Sequence, residues 1–171
     1  VYDVLEPPQG LMALLTYVNE VFGDKVEGTI YKSRIDFDSY EELYVKVKDF
    51  APDIIGIRSL SFYRIFFHKA ISYLRNKGIT TSIITGGPYA TSSFPELLHD
   101  RNIALAVLGE GELTLSEILK HTLFNNNRLP DVETLRSING IAFFDETGPG
   151  KGSRIAGNTS IQRNKKAVVY S

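Results

Sequence analysis

The sequence predicts a single α/β domain with a doubly wound, mostly parallel five-stranded sheet. Three observations support this fold class. The chain has 171 residues, the usual length of one domain. Helical and strand-like patterns alternate along it, as they do in βαβ units. Glycine follows several of the predicted strands, which is where such sheets bind their ligands.

The chain begins with a short predicted strand over residues 2–5. The turn Pro7-Pro8-Gln9-Gly10 follows it. From Leu11, apolar residues recur at helical spacing and give the helix one face that a sheet can cover. A second strand is expected over residues 26–31.

The third strand is introduced by a helix with a clear start signal. Ser39 and Glu42 have the spacing of a capping box, and the helix is expected to run to about Phe50. Residues 54–57 are Ile-Ile-Gly-Ile, with no polar alternation. This pattern is typical of a strand that is buried on both faces.

The fourth strand is predicted over residues 80–85, after a helix over residues 62–77. A second capping box, formed by Ser93 and Glu96, predicts the start of a short helix.

The fifth strand is predicted over residues 103–108, and the helix that follows opens at Gly109 and reaches about Phe124. An edge strand over residues 141–144 closes the predicted domain, residues 1–144. Residues 145–171 are rich in Gly, Lys and Asn and predict a mobile tail or linker, with a short strand over residues 167–170.

The composition shows no strong charge bias. Hydrophobic residues make up 43% and charged residues 23% of the chain, with 19 basic and 20 acidic side chains. This balance gives no electrostatic footprint for nucleic acid or an anionic membrane. No run of about 18 apolar residues predicts a membrane span. We therefore expect this chain to bind neither nucleic acid nor a membrane.

The chain contains no cysteine. This excludes a disulfide framework, and it also excludes a thiolate-ligated zinc or iron–sulfur site within these residues. A cytoplasmic location is the corresponding expectation.

The predicted carboxyl ends of the strands carry the candidate ligand-binding residues. In an open parallel sheet, ligands bind outside these ends, where the strand order reverses. Glycine there lets the backbone approach a ligand closely, although it also serves ordinary tight turns. The segments are Pro7 to Gly10, Arg58 to Ser61, Gly86 to Pro88, and Gly109 to Glu112.

Three known classes of α/β domain, which bind dinucleotides, bind flavins or receive a phosphoryl group, fit these segments poorly. Thr114 stands where a dinucleotide fingerprint after Gly109 needs its third glycine, and the flanking carboxylates would repel a pyrophosphate. Pro7 and Pro8 remove amide donors that a flavin phosphate would need. A phosphorylation receiver needs aspartate where Arg58 stands. A further alternative is an unrelated binding module for a small nucleotide.

The histidines indicate no metal site or catalytic pair. His68, His99 and His121 fall within or near the ends of predicted helices, where surface or helix-end positions are expected. No metal-ligand spacing links them, and the sequence pairs no serine with any of them. We predict no catalytic and no metal-ligating residues in this chain.

Four segments together resemble the cobalamin-binding domain of cobalamin-dependent radical-SAM enzymes, both methyltransferases and cyclases of the anaerobic Mg-protoporphyrin ester type. In that family the sheet is flavodoxin-like, that is Rossmann-like, and the nucleotide tail of the cofactor enters near the ends of the central strands. The match spans about residues 5–144. The segments are Pro7 to Leu11, Pro52 to Ile57, Gly86 to Thr91, and Gly109 to Glu112.

The resemblance implies a set of cofactor-binding residues at those turns. Two departures from the wider cobalamin-binding group accompany it. Arg58 takes the place of the serine in a Ser-x-Leu step that ends at Leu60, and the first loop lacks the histidine that ligates cobalt from below. The implied cobalamin contacts are Pro8, Gln9, Gly10, Ser59, Leu60, Ser61, Gly86, Gly87, Pro88, Gly109, Glu110, Gly111 and Glu112.

The resemblance also implies a division of labour. This module would hold base-off cobalamin, and a downstream domain would supply the iron–sulfur cluster and S-adenosylmethionine, because the chain has no cysteine. The alternative is a domain of the same fold that binds no cofactor and acts as an interaction or positioning element. Arg58, which replaces the serine of the Ser-x-Leu step, favours this alternative.

Overall fold

Short parallel strands alternate with amphipathic helices in the computed structural model, which describes residues 7–58, 60–145 and 154–157. Two 3₁₀ turns, Gly23–Lys25 and Ser61–Tyr63, supplement the regular elements. The helices in this part of the chain are α1 (Gln9–Phe22), α2 (Tyr40–Phe50), α3 (Arg64–Asn76), α4 (Pro88–Leu97), α5 (Glu112–Phe124) and α6 (Val132–Ser137). The strands are β1 (Ile54–Arg58), β2 (Ser82–Gly86), β3 (Ile103–Val107), β4 (Ile141–Asp145) and β5 (Arg154–Ala156).

The strands form one sheet in the order β1-β2-β3-β4-β5. Strands β1, β2 and β3 run parallel, and β4 and β5 continue the sheet in antiparallel fashion. Helices cover both faces, because successive residues of a strand point to opposite sides. The predicted α/β fold, with a five-stranded sheet flanked by helices, is confirmed, and the sheet is mixed.

Two hydrophobic clusters fill the two faces of the sheet. Ile83 and Ile84 are neighbours in β2, yet each belongs to a different cluster. The Ile83 cluster includes α3 and α4 residues, among them Phe67, Ile71, Tyr89, Ala90 and Leu97. The Ile84 cluster includes residues of α5 and the α6 region, among them Ile118, Leu135 and Ile138.

Strand β1 is less buried than the sequence predicts. Its isoleucines are half-buried, while Gly56 and Arg58 are exposed. Among the described residues β1 pairs only with β2, so its outer edge has no neighbouring strand there. Strands β2, β3 and β4, which have strands on both sides, have buried central residues.

The prediction of a strand over residues 26–31 is wrong. The chain there forms neither a strand nor a helix. A Cβ atom placed on Gly28 would lie 2.4 Å from Cδ1 of Leu15, so the segment lies against α1. Propensity favours extended backbone at these residues, but a strand also needs a hydrogen-bonded neighbour. The strand predicted over residues 2–5 lies outside the described residues.

The capping box at the start of α2 is confirmed. Ser39 Oγ accepts a hydrogen bond from the Glu42 amide at 3.1 Å, and the Glu42 carboxylate accepts one from the Asp38 amide at 2.9 Å. The helix ends at Phe50, as predicted.

The second predicted capping box falls inside a longer helix, where a second helical segment begins after Ser93. Helix α4 already begins at Pro88, because proline suits the first turn, where amides lack helical partners. Ser93 instead marks a kink, with φ −139° and ψ 27°, and Pro95 follows inside the helix. The helix predicted over residues 62–77 begins with the 3₁₀ turn and becomes α-helical at Arg64.

Two elements near the end of the chain were not predicted. Asp131 caps α6 by accepting a hydrogen bond from the Thr134 amide at 2.8 Å. Strand β5 falls within the predicted tail, yet it pairs with β4, which itself runs one residue past 144. The sheet therefore extends beyond the predicted domain boundary. The strand predicted over residues 167–170 lies outside the described residues.

One arginine connects the approaches to two central strands. The guanidinium of Arg75 donates hydrogen bonds to the carbonyls of Ile79 and Thr81, both at 2.7 Å, just before β2. It also donates to the carbonyl of Asn102 at 2.9 Å, just before β3. Burial lowers the pKa of this guanidinium below its usual value. Arg75 thus fixes the amino-terminal edge of the sheet.

Candidate functional site

The carboxyl ends of the three parallel strands bring most of the predicted site residues to one edge of the sheet. Leu60 and Ser61 follow β1, Gly87 and Pro88 follow β2, and the Gly109 turn follows β3. Ser59 lies outside the described residues. This edge also carries the start of α1, because Gly10 lies close to the last residue of β1.

Three glycines and one arginine form the centre of this edge. Arg58 pairs in register with Gly86. A Cβ atom on Gly87 would lie 2.7 Å from Cγ of Arg58 and 3.4 Å from its Nε, and one on Gly10 would lie 3.8 Å from the same Nε. We call the space beside Gly10, Gly86 and Gly87 the glycine slot. The Arg58 side chain lies in it.

The backbone at Gly87 requires glycine. Its φ is +85° and its ψ is −169°, a combination that is essentially confined to glycine. Gly87 is also the N-cap of α4, and Tyr89 of the same first turn is only 2% exposed. The β2–α4 turn is therefore held close to the sheet by a buried anchor.

The turn after β3 is held from several sides. The Leu108 amide donates to the Gly140 carbonyl at 2.8 Å, and the Gly109 amide donates to Thr91 Oγ1 of α4 at 2.9 Å. A Cβ atom on Gly111 would lie 3.2 Å from Leu14 of α1. Helices α1 and α4 thus fix this turn beside the glycine slot.

The two carboxylates of this turn differ in their surroundings. Glu110 is exposed and forms no ion pair among the described residues. Glu112 is the first residue of α5 and lies in its first turn, where a negative charge interacts favourably with the helix dipole. Glu110 is thus the more exposed of the two carboxylates of this turn.

The other two helices that start at this edge, α1 and α4, have no negative charge in their first turn that would balance the helix dipole. Neither α1 nor α4 has an acidic residue in its first turn. Both present the positive end of a helix dipole, although the amides of Gln9 and Leu11 in α1 donate to the carbonyls of Pro7 and Pro8. The exposed Arg58 guanidinium adds a full positive charge between them, and no hydrogen bond or ion pair of this guanidinium occurs within the described part of the chain.

An apolar surface, which the sequence analysis did not identify, flanks the slot on the α3 side. Its members come after β1 and are exposed despite being large: Leu60 (40%), Phe62 (86%), Tyr63 (52%) and Ile65 (65%). The rings of Phe62 and Tyr63 meet edge to face, with centroids 5.4 Å apart. The residues follow helical spacing poorly, which is why periodicity gives no signal for this apolar surface.

The sequence predicts a surface or helix-end position for His68. In the structure this residue is instead half-buried between α3 and α4. Its Nδ1 lies 2.8 Å from an Asp100 carboxylate oxygen and its Nε2 lies 3.2 Å from the Tyr89 hydroxyl. Burial raises the pKa of that tyrosine. The three side chains connect the two helices. His99 is exposed and His121 lies in the last turn of α5, as expected.

No group of three or more His, Asp or Glu side chains that could hold a metal ion occurs among the described residues. None of the helices in that part of the chain is long and apolar enough to cross a bilayer. An open hollow is present at the far end of α1, away from the glycine slot, and is lined by Asn19, Gly23, Asp24, Val26, Glu27 and Gly28.

Comparison with known proteins leaves the function open. No family model and no curated protein matches the chain. Among solved structures it is similar to the N-terminal domain of the hypothetical protein TM0182 of Thermotoga maritima, with 22% identity and a TM-score of 0.49 over 70% of this chain and 90% of that one. That likeness carries no argument about function, which depends here on the chain's own residues.

The site combines residues that the sequence predicts with others that it does not. Gly10 and Gly87 both lie beside the Arg58 side chain, Gly86 pairs in register with Arg58, and the Gly109–Glu112 turn lies on the adjacent strand end. Two contributions were missed. Thr91 fixes the Gly109 turn, and Arg58 fills the slot. The position of Thr91, one turn into the helix after Gly87, is the sequence signal that could have identified it.

Proposed function

We propose that this chain is the cobalamin-binding module of a cobalamin-dependent radical-SAM enzyme. The observation that supports this most is the glycine slot at the carboxyl edge of the parallel strands, which is where open α/β sheets bind ligands. The resemblance of the turn sequences to that enzyme family points to the same edge.

The nucleotide tail of cobalamin would need space beside the sheet, and the glycines of the slot place no side chains of their own there. A Cβ atom on Gly86 would meet its nearest neighbour, Val107, only at 3.8 Å, and one on Gly10 would meet Arg58 alone. The missing side chains therefore leave room beside the sheet, and the group that occupies it is a flexible, exposed side chain. A tail can enter once Arg58 turns outward. Corrin, a large ring with apolar faces, would then lie over the turns and beside the apolar surface at Phe62.

The residues of the chain would bind and orient the cofactor. Pro7 and Pro8 stiffen the loop at the start of α1, since proline fixes φ. The loop offers no imidazole, so no histidine of this loop would bind the metal of the cofactor. When bound, cobalamin supplies methyl transfer or assists radical chemistry. The iron–sulfur cluster and S-adenosylmethionine would belong to a downstream domain of the same parent chain.

The experiment is a titration of the protein with hydroxocobalamin, followed by size-exclusion chromatography with detection of the corrin absorbance. We expect co-elution at a ratio near one cofactor per chain. Gly10→Val should weaken binding by about tenfold or more, because it fills the slot at a position where the fold has room. Gly87 is unsuitable for this purpose, since any side chain there strains the backbone.

Gly56→Ala is the matched control, because its Cβ would meet only Ile84 at 4.0 Å and lies in the middle of β1. It should bind cobalamin as the parent does. Elution of the parent without corrin absorbance would refute the proposed function. Equal affinity of parent and Gly10→Val would refute the assignment of the slot.

A second candidate is a domain of the same fold that binds no cofactor and acts as an interaction element. The position of Arg58 in the slot favours it, as does the exposure of Phe62, Tyr63 and Ile65, since clustered exposed apolar residues often mark interaction sites. The hydroxocobalamin titration separates the two, because this candidate predicts no retained corrin under any condition.

A further inference from the structure

Arg58 stands out among the basic residues of the chain by its position. It is the last residue of β1, and its side chain passes over Gly87 toward Gly10. Its guanidinium therefore lies between the start of α1 and the start of α4. Those two helix starts belong to different sequence segments, so this arrangement exists only in the folded chain.

The groups that meet at this position, the Arg58 guanidinium and two helix starts, all carry positive charge or partial positive charge. Helix starts carry partial positive charge, and neither α1 nor α4 has an acidic side chain in its first turn. A guanidinium is always charged and offers donors in a planar fork that suits phosphate oxygens. No protein carboxylate pairs with Arg58 within the described residues. Glu110 and Glu112 lie on the adjacent turn after β3, but neither forms an ion pair with Arg58 among the described residues.

The Arg58 side chain is also free to move. It is exposed, and it makes no hydrogen bond that would fix one rotamer in the described part of the chain. It can leave the space over Gly87 while its guanidinium remains near the edge of the slot. A ligand that enters the slot can thus displace the aliphatic part of Arg58 and still be bound by its charged end.

We infer that Arg58 is the anion-binding and specificity-determining residue of the slot, where it pairs with the phosphodiester of the cobalamin tail. This inference rests on the proposed function. The tail is the only part of cobalamin with a phosphate, and cobinamide is the corrinoid that lacks both the nucleotide and that phosphate. Arg58 therefore selects corrinoids that carry the complete tail.

The test compares the affinities of hydroxocobalamin and aquacobinamide by titration of the corrin absorbance. Parent protein should bind cobalamin more tightly than cobinamide. Arg58→Gln should weaken cobalamin binding by about tenfold to a hundredfold, since charge-assisted hydrogen bonds to phosphate are strong. Its affinity for cobinamide should stay the same. Arg58→Lys should recover part of the loss because it retains the charge but not the fork.

Salt and a remote arginine provide the controls. Raising ionic strength should weaken cobalamin binding to the parent and have much less effect on Arg58→Gln, because exposed charge pairs are screened. Arg128→Gln makes the same charge change beyond the end of α5, at the opposite edge of the sheet, and should leave both affinities unchanged.

Two failures can be told apart. If the parent binds neither corrinoid, the proposed function is wrong and the role of Arg58 in it is overturned as well. If the parent binds both corrinoids but Arg58→Gln keeps the parent's preference for cobalamin, only the role of Arg58 is overturned. Tighter cobalamin binding by Arg58→Gln would also overturn it, since Arg58 would then merely obstruct the slot.

Discussion

Replacing Gly87 by alanine tests the geometry of the glycine slot without any ligand. The new Cβ atom would have to adopt φ +85° and ψ −169°. It would also lie 2.7 Å from Cγ of Arg58, closer than real Cβ contacts allow. Gly87→Ala therefore introduces backbone strain and a steric clash together.

The two contributions differ in size. Backbone strain in this region of φ and ψ costs about 1 to 3 kcal/mol, because the surrounding turn is held in place. The clash costs less, since Arg58 is exposed and can turn away. We expect a total near 2 kcal/mol, which lowers the melting temperature by about 4 to 8 °C in a chain of this length. Gly86→Ala should cost almost nothing, because its Cβ would make only ordinary contacts.

Thermal and urea unfolding of four variants separates strain from clash: Gly87→Ala, Gly86→Ala, Arg58→Ala, and the double variant Gly87→Ala with Arg58→Ala. Removal of the arginine side chain should recover less than about 0.5 kcal/mol of the Gly87→Ala cost. The reasoning fails if Gly87→Ala is as stable as Gly86→Ala. It also fails if the double variant recovers most of the loss, since the clash and not the backbone would then dominate.

Three further predictions concern the frame around the site. Arg75→Met should destabilise the fold by about 2 to 3 kcal/mol in urea unfolding, because three backbone carbonyls lose a charged donor; a loss below about 0.5 kcal/mol would contradict this role. Gly157→Ala should detach β5 and speed amide exchange along β4, since its Cβ would lie 2.3 Å from the Ile141 carbonyl oxygen; unchanged exchange would argue against the pairing. The hydrogen bond from the Thr134 amide lowers the pKa of Asp131. The Asp131 carboxylate therefore stabilises the fold above its unfolded pKa, and this stabilisation is lost as pH falls through its folded pKa. The difference in melting temperature between parent and Asp131→Ala should be present at pH 6 and shrink below about pH 4, and a constant difference would refute the charge effect.

Elements with strong local patterns could be predicted from the sequence. Helix α2 has a capping box and ends at Phe50 as expected, and β2 carries a run of β-branched residues. The segment over residues 26–31 could not be assigned correctly, because extended backbone becomes a strand only when a neighbour pairs with it. Strand β5, with three residues, is too short to produce any alternation that a pattern can detect.

The site was predictable in outline but not in detail. Glycine after β2 and β3 indicates the carboxyl edge of the sheet, because ligands of parallel sheets bind there. The path of the Arg58 side chain over Gly87 could not be predicted, since it depends on a rotamer and on two segments that are distant in sequence. The exposure of Phe62 likewise depends on how α3 packs.

Amide hydrogen exchange with and without hydroxocobalamin tests the central claim most directly, because it reports both whether the cofactor binds and where. The proposed function predicts slower exchange after β2, at Gly87 and in the first turn of α4, and after β3, from Gly109 to Glu112. Strands β4 and β5 and helix α2 should be unaffected. No change anywhere on addition of saturating hydroxocobalamin, or protection confined to elements remote from the carboxyl edge of the sheet, would contradict it.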